Sequence, residues 1–152
     1  MNDDLDQSSV DQLQWCVQQP RYRVAWLVGA PGCGKTRFAR QIAQQKGWRY
    51  LDYTLTPGYF DALQATIAAY QPTEFVAAIR GWCGATSEPV LVLDELDALL
   101  ACWTLHQRKA WASQMARLAY LPRGLLLVSH LLDADTLAPL LPDSDMRYCL
   151  TF

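Results

Sequence analysis

The stretch Gly29-Ala30-Pro31-Gly32-Cys33-Gly34-Lys35-Thr36 constrains this chain more than any other. A glycine, four residues and then Gly-Lys-Thr stand between an apolar, β-rich run, YRVAWLV, and an amphipathic segment, KTRFARQIAQQKG. A strand that turns through glycines into a helix points successive backbone N–H groups at a phosphate, with the positive end of the helix dipole behind them. The spacing assigns the parts. Gly29, Ala30, Pro31, Gly32, Cys33 and Gly34 form the loop, Lys35 reaches β and γ oxygens, Thr36 offers its hydroxyl to Mg²⁺, and Arg37, next in the helix, is the last of the expected nucleotide-binding residues. ATP and Mg²⁺ are the expected ligands. Cys33 is expected to supply only its N–H, although a helix N-terminus also lowers a thiol pKa.

The rest of the chain repeats the alternation of strand and helix. An opening amphipathic segment puts Val10, Leu13 and Val17 on one face and stops at QQPR. The helix after the loop has Phe38, Ala39, Ile42 and Ala43 as its buried stripe and Gly47 in the capping place. WRYLDYTL reads as a second strand. Residues 58–84 read as two weakly periodic helical pieces, around Leu63 and Ile67 and around Phe75 and Ile79, broken by Pro72 and ended by Gly81 and Gly84. PVLVLDELDALL is continuously apolar, as in a strand buried on both faces, and closes with carboxylates. TLHQRKAWASQMARLA reads as a long helix with Trp111, Met115 and Leu118 at i, i+4, i+7. GLLLVSH is another buried strand, DADTLAPLL a short helix, and MRYCLTF a closing edge strand. Strands separated by helices predict an α/β fold in three layers, a five-stranded parallel sheet flanked by helices. With 152 residues, 51% of them hydrophobic, the chain is expected to be one domain, residues 1–152.

Charge and cysteine content remove other classes. A net charge of -2 gives no overall basic field, so sequence-independent nucleic-acid binding gains nothing from global electrostatics. Cys16, Cys33, Cys83, Cys102 and Cys149 include no C-x-x-C pair and read as reduced, mostly buried thiols. The acidic N-terminus, MNDDLDQSSVDQ, lacks an apolar leader region, and no run of 18 apolar residues occurs. A cytoplasmic protein without membrane spans is expected.

A second half of the site is expected on VLVLDE. Four apolar residues deliver Asp94 to a strand tip, where a carboxylate holds the Mg²⁺ shell, and Glu95 to a place where it activates water as a catalytic base. The alternative is that both acids merely cap the next helix. In LLLVSH, Ser129 is expected to bond the attacking water or the γ-phosphate, with His130 as its competitor and simple strand-end capping as the alternative.

These residues resemble the AAA+ ATPases, in the additional-strand, catalytic-glutamate branch of the P-loop NTPases. Gly29 to Thr36 resembles Walker A, Leu91 to Glu95 resembles Walker B, and Ser129 resembles the sensor 1 position. The resemblance implies a P-loop NTPase core, ATP hydrolysis and a homo-oligomer. In such an oligomer an arginine before the last core strand reaches the neighbouring subunit's nucleotide, and Arg147 in DSDMRYCLTF stands at that place. An ordinary charged residue at a strand start is the alternative. Because the sequence stops at Phe152, the AAA+ helical lid and its second sensor arginine are expected to be missing. Among small P-loop proteins the chain is similar to the BrxF ATPases of type III BREX phage-defence systems, through its length, YRVAWLVGAPGCGKT, an Asp-ended strand and a closing RY. Glu95 departs from that family's pattern. This likeness implies partners in a multi-protein defence or DNA-processing complex.

Two functions remain open at this point. One is an ATPase that assembles into rings or filaments, and the other is a docking module that uses ATP as a structural ligand to regulate a partner enzyme. His106, Lys109, Ser113 and Arg117 share one face of the long helix, while acids gather at Asp3, Asp4, Asp6 and Asp11 and at Asp133, Asp135, Asp143 and Asp145. Head-to-tail contact between these patches would build an oligomer. Contact of the basic face with DNA, or plain solvation, are the alternatives.

Overall fold

A computed structural model describes residues 5–152, so Asp3 and Asp4 of the acidic cluster lie outside the described residues. α1 (Gln7–Val17) starts at Asp6, whose carboxylate accepts from the Ser9 N–H, and buries Val10, Leu13, Cys16 and Val17. β1 (Val24–Val28) leads into α2 (Lys35–Lys46), which buries Phe38, Ala39, Ile42 and Ala43 and closes where Gly47 turns left-handed. Then follow β2 (Arg49–Asp52), α3 (Pro72–Ala85), β3 (Val90–Asp94), α4 (Asp97–Leu100) and α5 (Leu105–Ala116). β4 (Gly124–Ser129), α6 (Ala134–Leu137) and β5 (Cys149–Thr151) complete the order.

The five strands form one parallel sheet in the order β2-β3-β4-β1-β5, flanked by helices, which is the three-layer α/β architecture expected. Register fixes the faces. Val24, Trp26, Leu91, Leu93, Leu125 and Leu127 share one face, and Ala25, Leu27, Val90, Val92, Gly124 and Leu126 share the other. On the first face the Trp26 ring meets Trp111 of α5 at 5.6 Å, and Trp111 stacks on Phe75 of α3 at 5.4 Å. On the second face a Cβ at Gly124 would stand 2.6 Å from the Val17 Cβ. Only glycine lets α1 lie that close to β4. α2 covers β2, β3 and the remainder of β4 on this side. Covered on both faces, β1, β3 and β4 are buried at every position, and that is why they read as unbroken apolar runs.

The middle of the chain differs from expectation. Pro72 starts α3 instead of breaking a helix, because a first-turn proline lacks only an N–H that has no partner there anyway. Gly81 and Gly84 lie inside α3, whose end comes after Ala85, with the Thr86 hydroxyl donating back to the Trp82 carbonyl. Two glycines cost about 2 kcal/mol of helix propensity. Burial of Phe75, Val76, Ile79 and Cys83 outweighs this. Around Leu63 and Ile67 the chain makes only two 3-10 turns, Phe60–Leu63 and Ile67–Ala69. α5 ends at Ala116, so Leu118 packs half-buried from the following turn. Three of the five cysteines are buried, and Cys33 and Cys102 are exposed. Among the described residues no helix is long and apolar enough to cross a membrane.

Candidate functional site

The chain leaves β1 toward β2 over one face of the sheet and leaves β4 toward β5 over the other, so a crevice opens between the C-terminal ends of β1 and β4. A cavity of about 410 Å³ occupies it, with the loop after β1 as one wall and the residues after β3 and β4 as the other.

The loop wall is shaped by backbone. Gly29 has φ +153°, and a Cβ there would stand 2.7 Å from the Phe152 carbonyl oxygen. β5 runs this close to the loop's root because the Phe152 N–H donates to the Val28 carbonyl at 2.8 Å. Gly34, at φ +98°, begins α2 with no side chain capping it. A helix N-terminus without a side-chain cap is the arrangement that suits an anion. Gly32, Gly34, Lys35, Thr36 and Arg37 all line the cavity. Lys35 is only 7% exposed, and its Nζ donates to the carbonyls of Gly29 (2.7 Å) and Ala30 (2.8 Å), with Cys33 Sγ at 3.5 Å. The ammonium thus closes the loop on itself.

The opposite wall is carboxylate. Asp94, the last residue of β3, is 3% exposed. Its Oδ1 accepts from the Glu95 N–H and its Oδ2 from the Tyr50 hydroxyl, both at 2.7 Å. Glu95 takes a left-handed conformation (φ +60°), and the Thr54 hydroxyl donates to its carbonyl at 2.7 Å. An L-residue holds such a backbone only where surroundings enforce it. The Glu95 carboxyl lines the cavity with a raised pKa, through burial first and then the neighbouring Asp94, Asp52 and Asp97. A carboxylate of raised proton affinity suits a general base.

Ser129 does not line the cavity. It pairs with Val28, so its side chain stands on the α5 face, away from Asp94, and its hydroxyl donates to Asp97 Oδ1 at 2.7 Å while accepting from the N–H groups of Leu131 and Leu132. His130 lines the cavity instead. Its Nδ1 lies 2.8 Å from Asp97 Oδ2, which also accepts the His130 N–H at 3.1 Å. Asp97 and Tyr50 are the residues that sequence reasoning missed. Asp97 had a signal, an acid one helical turn after Asp94 in LDELD; Tyr50 had none.

Arg147 is not brought to this cavity. It lies in a 3-10 turn, Met146–Tyr148, two residues before Cys149, which pairs with Trp26. That is the other rim of the sheet from Gly29. Its guanidinium grips Asp145 through Nε (3.0 Å) and Nη2 (2.7 Å), and lies 4.0 Å from the centre of the Trp15 ring.

A family model described as "ATPase family associated with various cellular activities (AAA)" matches residues 25–118. This span holds the loop, Asp94, Glu95 and Asp97 and stops short of Ser129, His130 and Arg147. The chain is 30% identical over 102 residues to the outer mitochondrial transmembrane helix translocase of Danio rerio, and 29% identical over 102 residues to that of Xenopus tropicalis. Each alignment takes in 65% of this chain and 26% of the relative, so the chain spans a small part of the length of these curated relatives.

Proposed function

Given that the chain belongs to the AAA family of ATPases, we propose that it binds ATP with Mg²⁺ in the 410 Å³ cavity and hydrolyses it there. One observation carries this reading: a helix N-terminus with Lys35 and Thr36 faces Asp94, Glu95 and His130 across a single cavity. The phosphate grip, the metal holders and the base are within one crevice.

The donor set fits the metal. Among the described residues no cluster of three or more His, Cys, Asp and Glu could hold an ion alone. Thr36 and Asp94 would hold Mg²⁺ together with phosphate oxygens and water, the usual manner for this hard ion. When bound, it neutralises charge on the β and γ phosphates. Lys35 exchanges the carbonyls of Gly29 and Ala30 for phosphate oxygens, and Glu95 takes the proton of the attacking water. His130, held through Nδ1 by Asp97, reaches the γ-phosphate from the end of β4, and Ser129 supports it through the same carboxylate.

Arg147 serves the nucleotide of a neighbouring copy, which suits its place on the far rim, and it must release Asp145 to do so. The chain then works as a homo-oligomer. Acids and cations are not wholly separate patches, since Lys109 acts on Asp133 within one chain; exposed Lys109 on α5 and Arg117 just after it remain a surface for a partner or for DNA. The resemblance in YRVAWLVGAPGCGKT supports a place in a BREX-like phage-defence or DNA-processing assembly.

The test is ATPase rate against protein concentration, with and without duplex DNA. Specific activity should rise with concentration, and Arg147→Ala should lose about 10³–10⁵-fold in rate at unchanged ATP affinity. Mixing Arg147→Ala with Lys35→Ala should restore part of the activity. A wild type that binds ATP but turns none over at any concentration would leave the docking module as the function.

A further inference from the structure

Tyr50 lies on the edge strand β2 and pairs in register with Val92, which places its ring on the face that carries Asp94 and α2. Its hydroxyl donates to Asp94 Oδ2 at 2.7 Å, while the other oxygen is held by the Glu95 N–H. Each oxygen of this buried carboxylate therefore has one fixed donor and keeps acceptor capacity for an ion. The Arg40 guanidinium lies 5.1 Å from the centre of the Tyr50 ring. Arg40 follows Thr36 by four residues on α2, one turn along the same helix face. The contacts Arg40 to Tyr50 to Asp94 thus tie the helix that carries Thr36 to the opposite wall of the cavity.

We propose that Tyr50, braced by Arg40, is the positioning residue that sets the divalent-metal affinity of this site. The proposal rests on Thr36 and Asp94 as the metal holders. A site that offers an ion so few protein ligands depends on how well each is oriented, and removal of a hydrogen-bond partner behind a ligating carboxylate typically weakens metal binding about 10–100-fold. β2 has a strand neighbour on one side only, so its own backbone fixes the Tyr50 ring weakly, and the cation above it supplies the missing restraint.

The test is Mn²⁺ binding followed by electron paramagnetic resonance in the presence of a non-hydrolysable ATP analogue, beside metal-free binding of a fluorescent ADP in EDTA. Tyr50→Phe should weaken Mn²⁺ binding by about 10–100-fold. Its metal-free ADP affinity should stay within about two-fold of wild type. Arg40→Met should weaken Mn²⁺ binding by about two- to five-fold, the range of an exposed cation–π contact. Unchanged Mn²⁺ affinity in Tyr50→Phe overturns the proposal and leaves the ATPase reading standing. An equal loss of metal-free ADP affinity overturns it too, because Tyr50 would then serve the shape of the whole site. A wild type that binds no nucleotide removes the reading beneath it. Should Tyr50→Phe fail to fold, Arg40→Met carries the decision, and an unaltered Mn²⁺ affinity there overturns the proposal.

Discussion

The loop at residues 29–36 keeps its shape through backbone torsions and a lysine turned onto carbonyls five and six residues back, whereas the opposite wall is tied side chain to side chain over separations of 44 residues for Tyr50 and Asp94 and 32 for Ser129 and Asp97. The first construction is local and the second is tertiary. A loop that works through N–H groups tolerates side-chain changes and fails when torsion space is lost. A wall built from two bonded sets, Tyr50 with Asp94 and Ser129 and His130 with Asp97, should fail one group at a time, and each loss leaves a partner without its bond.

Of the two walls, the tertiary one should show the larger effect. Glu95→Gln keeps shape and hydrogen bonding but removes the base, so single-turnover hydrolysis should slow by about 10²–10⁴-fold with ATP affinity retained. The pH profile sharpens this. The Glu95 pKa is raised by burial and by Asp94, Asp52 and Asp97, so the active carboxylate is lost as pH falls through a value above that of an ordinary glutamate. The acid limb of wild type should begin correspondingly early and vanish in Glu95→Gln; equal rates in both would transfer the base to another group.

On the loop wall the side chain that grips phosphate is that of Lys35. Lys35→Ala should weaken ATP binding at least about 10–100-fold by calorimetry, since charge-assisted bonds to phosphate are lost. Retained affinity would show that the cavity takes no phosphate. Asp97→Asn should be milder for binding and costly for stability. It strips charge from a carboxylate that accepts from Ser129, His130 and Leu131, and should lower unfolding free energy by roughly 1–3 kcal/mol. If thermal unfolding of Asp97→Asn matches wild type, the wall is not held together through that residue.

Legibility followed the same division. The shape of the loop was legible from spacing because Lys35 bonds the carbonyls of Gly29 and Ala30 within a few residues, and the unbroken apolar runs of β1, β3 and β4 reported their burial on both faces. The face of Ser129 was not legible because sequence shows that a strand ends but not which face its last side chain takes; register with Val28 decides that, and Val128 and His130 line the cavity from this strand end. Tyr50 carried no signal at all, since its partner is set by the pairing of β2 with β3. Gly81 and Gly84 misled for a related reason. Local propensity marks them as breakers, and the burial that keeps α3 helical through them comes from its packing on α5.

The smallest expected effect bears most directly on the contrast between the walls. Cys33 is exposed, its N–H donates to the Ala30 carbonyl at 3.4 Å, and its sulfur lies 3.5 Å from Lys35 Nζ. If the loop acts through backbone, this sulfur is dispensable. Cys33→Ala keeps the N–H, adds no torsional restriction and removes a weak contact that Lys35 gives up anyway when it turns to phosphate. Affinity for ATP and thermal stability should both stay within about 0.5 kcal/mol of wild type, the range of ordinary surface changes. Gly34→Ala alters the same loop by one methyl group and should lose far more, because φ +98° is strained for any residue with a Cβ although the space around it is open. A Cys33→Ala variant as impaired as Gly34→Ala would mean that side chains shape this wall as well, and the distinction between a backbone wall and a side-chain wall would fall.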